Sequence, residues 1–402
     1  MSRRRRLLIV SPSIEDGGVE VYLRSLVRGA VERGYSVVVC LPDRPAIIEV
    51  REDLRRLGAE CRVLNVGLDA PRNLRQAGLG FLRDFVKTAV ALLGNGRGGA
   101  MIMLPHPDVS PGAVLALSLL RRRSVAIAHL APPDVAFTRE RRLIYGLARR
   151  SGQTWVAVSK DNRRVLAAAL GWDEEAVRVI YNGVPPLIDG DGRARAAARA
   201  RCRSALGLDA EARIVLSVGR LNVQKGHDVI LDGIASVLAR HPDAWWVWAG
   251  DGPARDALAR RASEAGVSER VLMLGHVSDV ADLMLASDLF LFPSRYEGLG
   301  IAVLEAHRAA LPVIASDAGP LPEIVRDRVD GLIVPVGDAE ALAEASAWAL
   351  SNPEPMRDRA AAGRRRVAAE FGEREMIERT LALLAPGEPR RSTVSQVGLE
   401  AT

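Results

Sequence analysis

The sequence predicts an α/β protein with two doubly wound, Rossmann-like domains that face each other across a cleft. Short apolar runs alternate with longer stretches of helical period along most of the 402 residues. This alternation is typical of parallel sheets covered by helices on both faces. It stops at 182–192, a segment rich in proline, glycine and aspartate, and then begins again. The break predicts a linker between two domains of similar architecture.

Apolar runs predict the strands. In the first half they are 7–10, 37–41, 62–66, 101–104, 125–128 and 155–158, and in the second half 213–218, 245–249, 271–274, 289–292, 312–315 and 332–334. Helical periodicity follows most of them, as at 19–32 and 111–120. A stretch rich in arginine and alanine at 193–206 predicts the helix that opens the second domain.

The domain boundaries follow from the linker. We predict an N-terminal domain over 1–183, a linker and first helix over 184–212, and a C-terminal domain over 213–371. An amphipathic segment at 372–388 predicts a helix that crosses back to the first domain. The polar tail 389–402 is predicted to be disordered.

The charge balance does not indicate a class of binding partner. The chain has 55 basic and 49 acidic residues, and the only lysines are Lys87, Lys160 and Lys225. Because arginine is the default cation of this sequence, runs of arginine are weak signals. The net charge of +6 therefore does not predict a nucleic-acid partner.

The sequence predicts a cytoplasmic protein. Its three cysteines, Cys40, Cys61 and Cys202, are widely spaced, which is typical of buried thiols in a reducing compartment. The apolar run at 7–10 is too short for the core of a signal peptide. No apolar stretch is long enough to predict a transmembrane helix.

Charged residues follow two strands of the second domain, at the edge where ligands bind in open parallel sheets. Arg220 and Lys225 lie on the turn after the strand at 213–218. A guanidinium and an ammonium group in this place suit a diphosphate. Glu297 lies on the loop after 289–292, where its carboxylate can accept hydrogen bonds from sugar hydroxyls.

A helix is predicted to begin at Ile301, directly after Gly298, Leu299 and Gly300. The glycines let a ligand approach the amide groups at the helix start, where the helix dipole favours an anion. Glu305 lies in the first turns, and its side chain leans back towards the N-terminus. Its carboxylate can therefore accept two hydrogen bonds from a ribose diol.

Together these residues resemble the retaining glycosyltransferases of family 4, which have the two-domain fold called GT-B. The resemblance covers nearly the whole chain and is strongest over 214–335. Its motifs in the second half are Val218-Gly219-Arg220, Lys225-Gly226, Gly250-Asp251-Gly252, Glu297-Gly298-Leu299-Gly300, Leu304-Glu305-Ala306, Pro312-Val313-Ile314-Ala315-Ser316, Gly319 and Glu323. In the first half they are Gly17-Gly18 and Tyr181-Asn182-Gly183-Val184.

The resemblance implies transfer of a sugar from a nucleotide-diphosphate sugar to an acceptor hydroxyl, with retention at the anomeric carbon. It implies catalytic roles for Arg220 and Lys225, which neutralise the leaving diphosphate, and for Glu297, which faces the donor sugar. Glu305 would hold the ribose, and the backbone of 298–301 would line the sugar and phosphate. Gly17 and Gly18 would close over the diphosphate from the first domain.

Two histidines end successive strands of the first domain, His106 after 101–104 and His129 after 125–128. In similar enzymes a histidine in this region hydrogen-bonds the donor sugar near the reacting carbon. The resemblance implies that catalytic role for His106 and a donor-binding role for His129. For both, a histidine that merely packs at a strand end remains the alternative.

No cofactor and no metal are predicted, because Arg220 and Lys225 supply the positive charge that a metal would supply. Asp189-Gly190-Asp191 matches the Asp-x-Asp signature of metal-dependent sugar transferases. It lies in the linker, away from any strand end, so we interpret it as a turn.

The acceptor is expected on the first domain, and no motif identifies it. A glycan, a lipid-linked sugar and a small molecule all remain open, as does synthesis of an envelope polysaccharide, a glycolipid or a natural-product glycoside. The basic segments 121–123 and 139–150, the second with interleaved apolar residues, allow peripheral contact with an anionic membrane. A solvated, arginine-rich helix face is equally consistent with them.

Two other functions remain open: a sugar-nucleotide epimerase of the same two-domain fold, and a non-catalytic subunit that binds a sugar nucleotide. A nicotinamide-dependent dehydrogenase is disfavoured, because Gly17-Gly18 is not part of a GxGxxG motif. The chain departs from the family at Ala310, where relatives have a glycine. His307 and Arg308 are expected on the exposed surface of their helix.

Overall fold

The computed structural model describes residues 5–15, 17–67, 74–93, 98–120, 123–186 and 192–385. The chain divides into two compact units. The first holds Met1–Val158, Arg163–Ile180 and Ile377–Thr402, and the second holds Ser159–Asn162 and Tyr181–Met376. The predicted turn at 189–191, the arginines at 121 and 122 and the predicted tail 389–402 lie outside the described residues.

The first unit is built on a sheet of seven parallel strands. They are β1 (Arg6–Val10), β2 (Ser36–Leu41), β3 (Glu60–Val63), β4 (Gly99–Leu104), β5 (Ser124–Ala128), β6 (Thr154–Ala157) and β7 (Val177–Val179). Their order across the sheet is β3-β2-β1-β4-β5-β6-β7. The chain therefore changes direction across the sheet between β1 and β4, which are neighbours.

Helices connect these strands. They are α1 (Gly18–Glu32), α2 (Ile48–Arg56), α3 (Leu74–Leu93), α4 (Pro111–Leu120), α5 (Arg139–Arg150) and α6 (Lys160–Leu170). The described residues 377–385 also pack in this unit, since the hydroxyl groups of Tyr22 and Thr380 lie 2.8 Å apart. Among the described helices of the chain, none is both long and apolar enough to cross a bilayer.

The second unit is built on a sheet of six parallel strands. They are β8 (Arg213–Val218), β9 (Ala244–Ala249), β10 (Val271–Gly275), β11 (Leu289–Phe292), β12 (Val313–Ser316) and β13 (Leu332–Val334), in the order β10-β9-β8-β11-β12-β13. The helices are α7 (Gly192–Ala205), α8 (His227–Leu238), α9 (Arg255–Glu264), α10 (Ala281–Ala286), α11 (Ile301–Arg308), α12 (Leu321–Ile324), α13 (Ala339–Ser351) and α14 (Pro353–Glu370). The last helix, α15 (Glu373–Ala382), begins in this unit, and its residues from Ile377 onward belong to the first unit. This sheet changes direction between β8 and β11.

The predicted class of two doubly wound α/β domains is confirmed, and each predicted strand is present. The third strand, β3, ends at Val63 rather than at 66, because Leu64 and Val66 continue the apolar run as buried core residues beyond the strand. The strand β7 was missed by the sequence analysis. Arg178 interrupts its short apolar run, so the run was not recognised.

The arginine-rich helix α7 is tied to the second sheet by Asp288, the residue before β11. Arg199 and Arg203 donate to the two carboxylate oxygens of Asp288 at 2.7 and 2.9 Å, and the amide of Ile214 donates to one of them at 2.9 Å. Arg203 is buried. These arginines stabilise the fold by binding Asp288. This agrees with the interpretation that runs of arginine are weak signals of a binding partner.

The expectation that His307 and Arg308 are exposed is wrong. His307 is fully buried where α11 packs on α14, and burial lowers the pKa of its imidazole to about 4. The close approach requires Gly363, since a Cβ there would lie 2.2 Å from Nδ1 of His307. Arg308 is half-buried and donates to the carbonyl oxygen of Val184 at 3.1 Å.

Ala310, at the position where the family resemblance implies a glycine, has a backbone conformation typical of glycine. Its φ is +48°, in the left-handed region that an L side chain disfavours. The local turn that follows α11 is therefore retained, at a cost in strain.

Candidate functional site

Each sheet carries predicted site residues at the point where its strand order reverses. In the first unit, Gly17 follows β1 and His106 follows the neighbouring β4. In the second unit, Lys225 follows β8 and Glu297 follows the neighbouring β11. Open α/β sheets bind ligands in the crevice beyond this reversal. The fold therefore brings together, within each unit, residues that are far apart in sequence.

The loop after β8 lies directly against the end of β11. It forms a short 3₁₀ turn, Val223–Lys225, in which the side chain of Asn222 accepts a hydrogen bond from the amide of Lys225 at 3.2 Å. Gly226 follows with φ +69°, and a Cβ on it would lie 2.1 Å from the carbonyl oxygen of Pro293. Only glycine meets both conditions, the left-handed backbone and the close approach.

Further hydrogen bonds join these two loops. The amide of Arg295 donates to the carbonyl oxygen of Gln224 at 2.7 Å, and the side-chain amide of Gln224 donates to the carbonyl oxygen of Tyr296 at 2.9 Å. The guanidinium of Arg295 binds both carboxylate oxygens of Asp228 and lowers the pKa of that carboxyl. The loop that carries Lys225 is thus held against the loop that carries Glu297.

Lys225 and Glu297 form an ion pair. The Nζ of Lys225 lies 2.6 Å from Oε1 of Glu297, and the side chains are 18% and 7% exposed. The same ammonium lies 4.7 Å from the ring centre of Phe292, the last residue of β11, at a distance that allows a cation–π contact. The structure therefore joins two residues to which the sequence analysis gave separate roles, on the diphosphate and on the sugar.

Arg220 lies on the same loop, at the end of β8, and its side chain is exposed. The backbone before it is set by another close approach. Gly219 and Gly250 both have φ +151°, and a Cβ on Gly250 would lie 2.0 Å from the carbonyl oxygen of Gly219. The ends of β8 and β9 thereby meet closely beside Arg220.

The start of α11 has the form of an anion site. Gly300 precedes the helix with φ +99° and, as a glycine, has no side chain with which to cap it. The amides of Ile301 and Ala302 have no acceptor within the helix, because the first turn of a helix has none to offer. Gly298 and Leu299, the two residues before Gly300, are buried.

Glu305 lies one turn into α11, and its carboxyl group is largely desolvated. Burial raises the pKa of this carboxyl from 4.5 to about 7, and the negative charge of Asp279 adds to the shift. Asp279 lies on the loop after β10 and was not recognised in the sequence. A carboxyl with this pKa changes charge near neutral pH, so its capacity to accept hydrogen bonds also changes there.

The two strand-end histidines differ in environment. His129 is buried, with its ring 5.0 Å from that of Tyr22 in edge-on contact, and burial lowers its pKa to about 3. Within the described part of the chain, neither ring nitrogen of His129 has a hydrogen-bond partner. His106 is half-buried on the loop after β4, which Tyr145 holds by donating to the carbonyl oxygen of Pro107 at 2.6 Å.

Gly17 is the residue before α1, and its amide donates to Oε2 of Glu20 at 3.0 Å. Its φ of −170° is extended backbone that any residue adopts. A Cβ on Gly17 would be no closer than 3.9 Å to Glu20. The fold of this domain therefore does not itself require a glycine at position 17.

Other residues of the family motifs make contacts that stabilise the fold of the second unit. The Tyr181 hydroxyl donates to Oε2 of Glu323 at 2.7 Å, and the Glu323 carboxylate also accepts from the amides of Lys160 and Asp161 at 3.0 and 2.7 Å. A Cβ on Gly183 would lie 2.5 Å from the backbone of Glu373. These residues hold chain segments together within the second unit.

Asn222, Phe292 and Asp279 were missed by the sequence analysis. For two of them the sequence contains a signal that could have identified the residue. Asn222 stands three residues before Lys225, as an Asx cap does, and Phe292 ends the strand that leads to Glu297. Asp279 had none, because its influence on Glu305 depends on a spatial approach of the loop after β10 to the helix α11.

Two family models match the chain. The model described as Glycosyltransferase Family 4 matches residues 16–186, and the model described as Glycosyl transferases group 1 matches residues 199–366. One match falls on each half of the chain.

The curated relatives match this chain over only part of its length. The lipopolysaccharide core biosynthesis mannosyltransferase LpsB of Rhizobium meliloti is 33% identical over 174 residues, which are 42% of this chain and 50% of the relative. The GDP-mannose-dependent monoacylated alpha-(1-6)-phosphatidylinositol monomannoside mannosyltransferase of Corynebacterium glutamicum is 34% identical over 194 residues, 46% of this chain and 50% of the relative. The chain thus spans about half the length of the curated relatives it matches.

Among solved structures, Anabaena Alr3699/HepE in complex with UDP matches with a TM-score of 0.76 and 20% identity, over 94% of this chain and 99% of that one. The likeness shows the two-domain fold called GT-B. With the two family models covering both halves, the chain belongs to the group 1, family 4 glycosyltransferases.

Proposed function

We propose that this chain is a retaining glycosyltransferase that transfers a sugar from a nucleotide-diphosphate sugar to an acceptor hydroxyl. The observation that carries the proposal is the Lys225–Glu297 ion pair beside the uncapped start of α11. An ammonium and free helix amides suit a diphosphate, and a carboxylate next to them suits the hydroxyls of the attached sugar.

In the proposed reaction, the bond between the anomeric carbon and the diphosphate oxygen breaks while the acceptor oxygen bonds to the same face of that carbon. Negative charge develops on the leaving diphosphate. Arg220, Lys225 and the amides of Ile301 and Ala302 stabilise this charge where it appears. The departing phosphate oxygen receives the proton of the acceptor hydroxyl. No metal and no cofactor take part.

The other site residues position the donor. Glu305, in its ionised form, accepts hydrogen bonds from the ribose diol, and Gly298, Leu299 and Gly300 leave room for the phosphate and sugar. In the first domain, Gly17 and Gly18 offer backbone to the diphosphate. His129, which is neutral and buried, and His106 are the candidates for contact with the sugar hydroxyls.

Similar proteins differ in their nucleotide: the Corynebacterium enzyme is named for GDP-mannose, and the Anabaena protein was solved in complex with UDP. The panel of nucleotide sugars below distinguishes between them. For the acceptor we propose a glycan, lipid-linked sugar or small molecule of envelope or natural-product synthesis. Relatives named for lipopolysaccharide core and phosphatidylinositol mannoside synthesis support the first two. The reaction is placed in the cytoplasm, with peripheral membrane contact of the first domain.

A panel of UDP-, GDP- and ADP-sugars tests the proposal. We expect one nucleotide series to raise the melting temperature, and the matching sugar donor to be hydrolysed slowly without acceptor. Proton NMR of the released sugar or glycoside should show the anomeric configuration of the donor. Stabilisation by none of the series, or a product of inverted configuration, contradicts the proposal. Conversion of the donor to its epimer supports the epimerase instead.

A further inference from the structure

The outer surface of α3 carries an apolar stripe that no other part of the described chain covers. Five large side chains on it are between 49 and 80% exposed: Leu79, Leu82, Val86, Val90 and Leu93. Their spacing of three or four residues places them on one face of the helix. We name this row the α3 stripe.

The α3 stripe is not the face by which α3 packs on its own domain, because the helix buries its opposite side there. Asp84, Thr88 and Leu92 on that side are buried, and Oδ2 of Asp84 accepts a hydrogen bond from the amide of Gly67 at 2.8 Å. The helix is thus fastened to its domain by one face and presents the other to solvent.

The exposed apolar surface continues on the neighbouring helices. The helix α4 packs against both α3 and α5. Leu119 and Leu120 at the end of α4, and Leu143 and Leu147 on α5, are also exposed. Of the sixteen large apolar residues that are exposed in the described chain, nine lie on these three helices. The apolar surface is therefore concentrated on one layer of the first domain.

The exposed charges on these three helices are mostly positive. The only acidic residue of α3 is the buried Asp84, which pairs with Arg83 at 3.2 Å, and the exposed Lys87 flanks the α3 stripe. On α5 the exposed charged residues are Arg139, Glu140, Arg142, Arg149 and Arg150, which are four cations and one anion. A row of large apolar side chains with a cationic border matches the interface of an anionic bilayer.

We propose that the layer formed by α3, α4 and α5 binds the surface of an anionic lipid bilayer, with the α3 stripe inserted at the level of the headgroups. A second copy of the chain is the less suitable occupant, because pairing two such faces would bring cations against cations. The helix would lie in the plane of the membrane, since the α3 stripe runs along about 21 Å of the helix axis, from Leu79 to Leu93.

The same helices hold loops at the carboxyl ends of the first sheet. Asp84 of α3 binds the amide of Gly67 after β3, and Tyr145 of α5 binds the carbonyl oxygen of Pro107 next to His106. If the proposed transferase function is correct, a lipid-linked acceptor bound at this layer would approach the loop of His106. The lipid binding itself does not depend on that function.

The test is sedimentation of the full chain with vesicles of phosphatidylcholine alone and of phosphatidylcholine mixed with phosphatidylglycerol, without nucleotide sugar. We expect binding to the anionic vesicles that weakens at high salt. The variant Leu79→Gln/Val86→Gln/Val90→Gln should lose at least about tenfold in binding. The control Val329→Gln/Val336→Gln changes exposed valines of the second unit and should bind like the wild type.

A second variant tests the contribution of the cations to binding. It also tests the proposal if the first variant folds poorly. Replacing Lys87, Arg139 and Arg142 by glutamine should weaken binding about a hundredfold. Replacing three exposed arginines of the second unit by glutamine should not, and Arg260, Arg357 and Arg365 serve for this control. Thermal stabilisation by UDP or GDP on the same variants reports separately on the donor site.

Three outcomes overturn the proposal. The first is absence of sedimentation with both kinds of vesicle. The second is equal loss of binding in the variants and in their controls. The third is a dimer in analytical ultracentrifugation without lipid that the α3 stripe variant converts to a monomer, since this assigns the layer to a second copy of the chain.

Discussion

The ammonium of Lys225 lies 2.6 Å from the carboxylate of Glu297, although 72 residues separate them in the sequence. The pair joins the loops that follow β8 and β11, the two strands at which the second sheet reverses its order. In the free protein the carboxylate compensates the charge of the ammonium. A diphosphate that binds here would therefore share Lys225 with Glu297, and each of the two side chains orients the other.

Removal of the Lys225 ammonium should slow the chemical step. We expect Lys225→Ala to lower kcat by about a hundredfold to a thousandfold, because one preorganised charge at the leaving diphosphate is lost. Steady-state kinetics with the donor that the panel of nucleotide sugars selects measures this. Arg260→Ala, which removes an exposed cation of the same unit, is the control. A Lys225→Ala enzyme with near-normal kcat would remove the charge-stabilisation argument.

Donor binding should depend on pH through Glu305. Because the pKa of its carboxyl is about 7, the group is protonated below that pH and loses acceptor capacity for the ribose diol. We expect the KM for the donor to rise as the pH falls below 7, and Glu305→Gln to have a high KM without this dependence. An unchanged affinity of Glu305→Gln for the nucleotide sugar would show that the ribose role is wrong.

The same raised pKa predicts a stability effect of defined sign. The folded state keeps a proton on Glu305 that the unfolded state releases near pH 4.5, so stability falls as the pH rises from 4.5 to about 7. Glu305→Gln has no such loss and should be the more stable protein above pH 7, by about 3 kcal/mol. Urea unfolding below and above this range measures the difference, which should vanish at low pH.

Gly226 and Gly266 form a matched pair for the close approach of the two loops. Both have φ +69°, but a Cβ on Gly226 meets Pro293 whereas one on Gly266 meets nothing within 4 Å. We expect Gly266→Ala to cost about 1 kcal/mol, the strain of the left-handed backbone alone. Gly226→Ala should cost about 3 kcal/mol and reduce activity. Equal costs in thermal or urea unfolding would argue against the contact with Pro293.

Ala310 offers a stabilising substitution. With φ at +48°, it holds a conformation that glycine adopts without strain, so Ala310→Gly should stabilise the fold by about 1 kcal/mol. The adjacent Ala309 has an ordinary helical backbone with φ −75°. Ala309→Gly should therefore destabilise, and opposite shifts in melting temperature for the two neighbours are the expected result.

Gly17→Ala separates a role in binding from a role in folding. The backbone at Gly17 is extended and a Cβ has room, so we expect the melting temperature to stay unchanged. If the diphosphate approaches this backbone closely, the added methyl group should raise the KM for the donor. A variant with normal stability and normal KM would exclude that approach.

The strands and the residues at their ends could be predicted from the sequence, because both depend on local patterns. Wholly apolar runs mark buried parallel strands, and a charged residue on the loop that follows such a run, such as Arg220 or Glu297, is expected near the carboxyl edge of the sheet. The family resemblance added which of these residues act together.

The contacts between loops could not be predicted in the same way. The pairing of Lys225 with Glu297 depends on Gly226 approaching the backbone of Pro293, and the burial of His307 depends on Gly363 of another helix. The raised pKa of Glu305 comes first from the burial of its carboxyl group by the surrounding fold and second from the charge of Asp279 on the loop after β10. In each case the decisive partner lies on a different element, so no pattern within one segment signals it.

The close approaches at Gly219, Gly226 and Gly250 have a consequence for donor recognition. They hold the loops around Lys225 by backbone contact, before any nucleotide is bound. The conformational entropy of these loops is therefore lost when the chain folds and not when the donor arrives. Calorimetry of nucleotide binding should accordingly show little of the unfavourable entropy that accompanies the ordering of flexible loops.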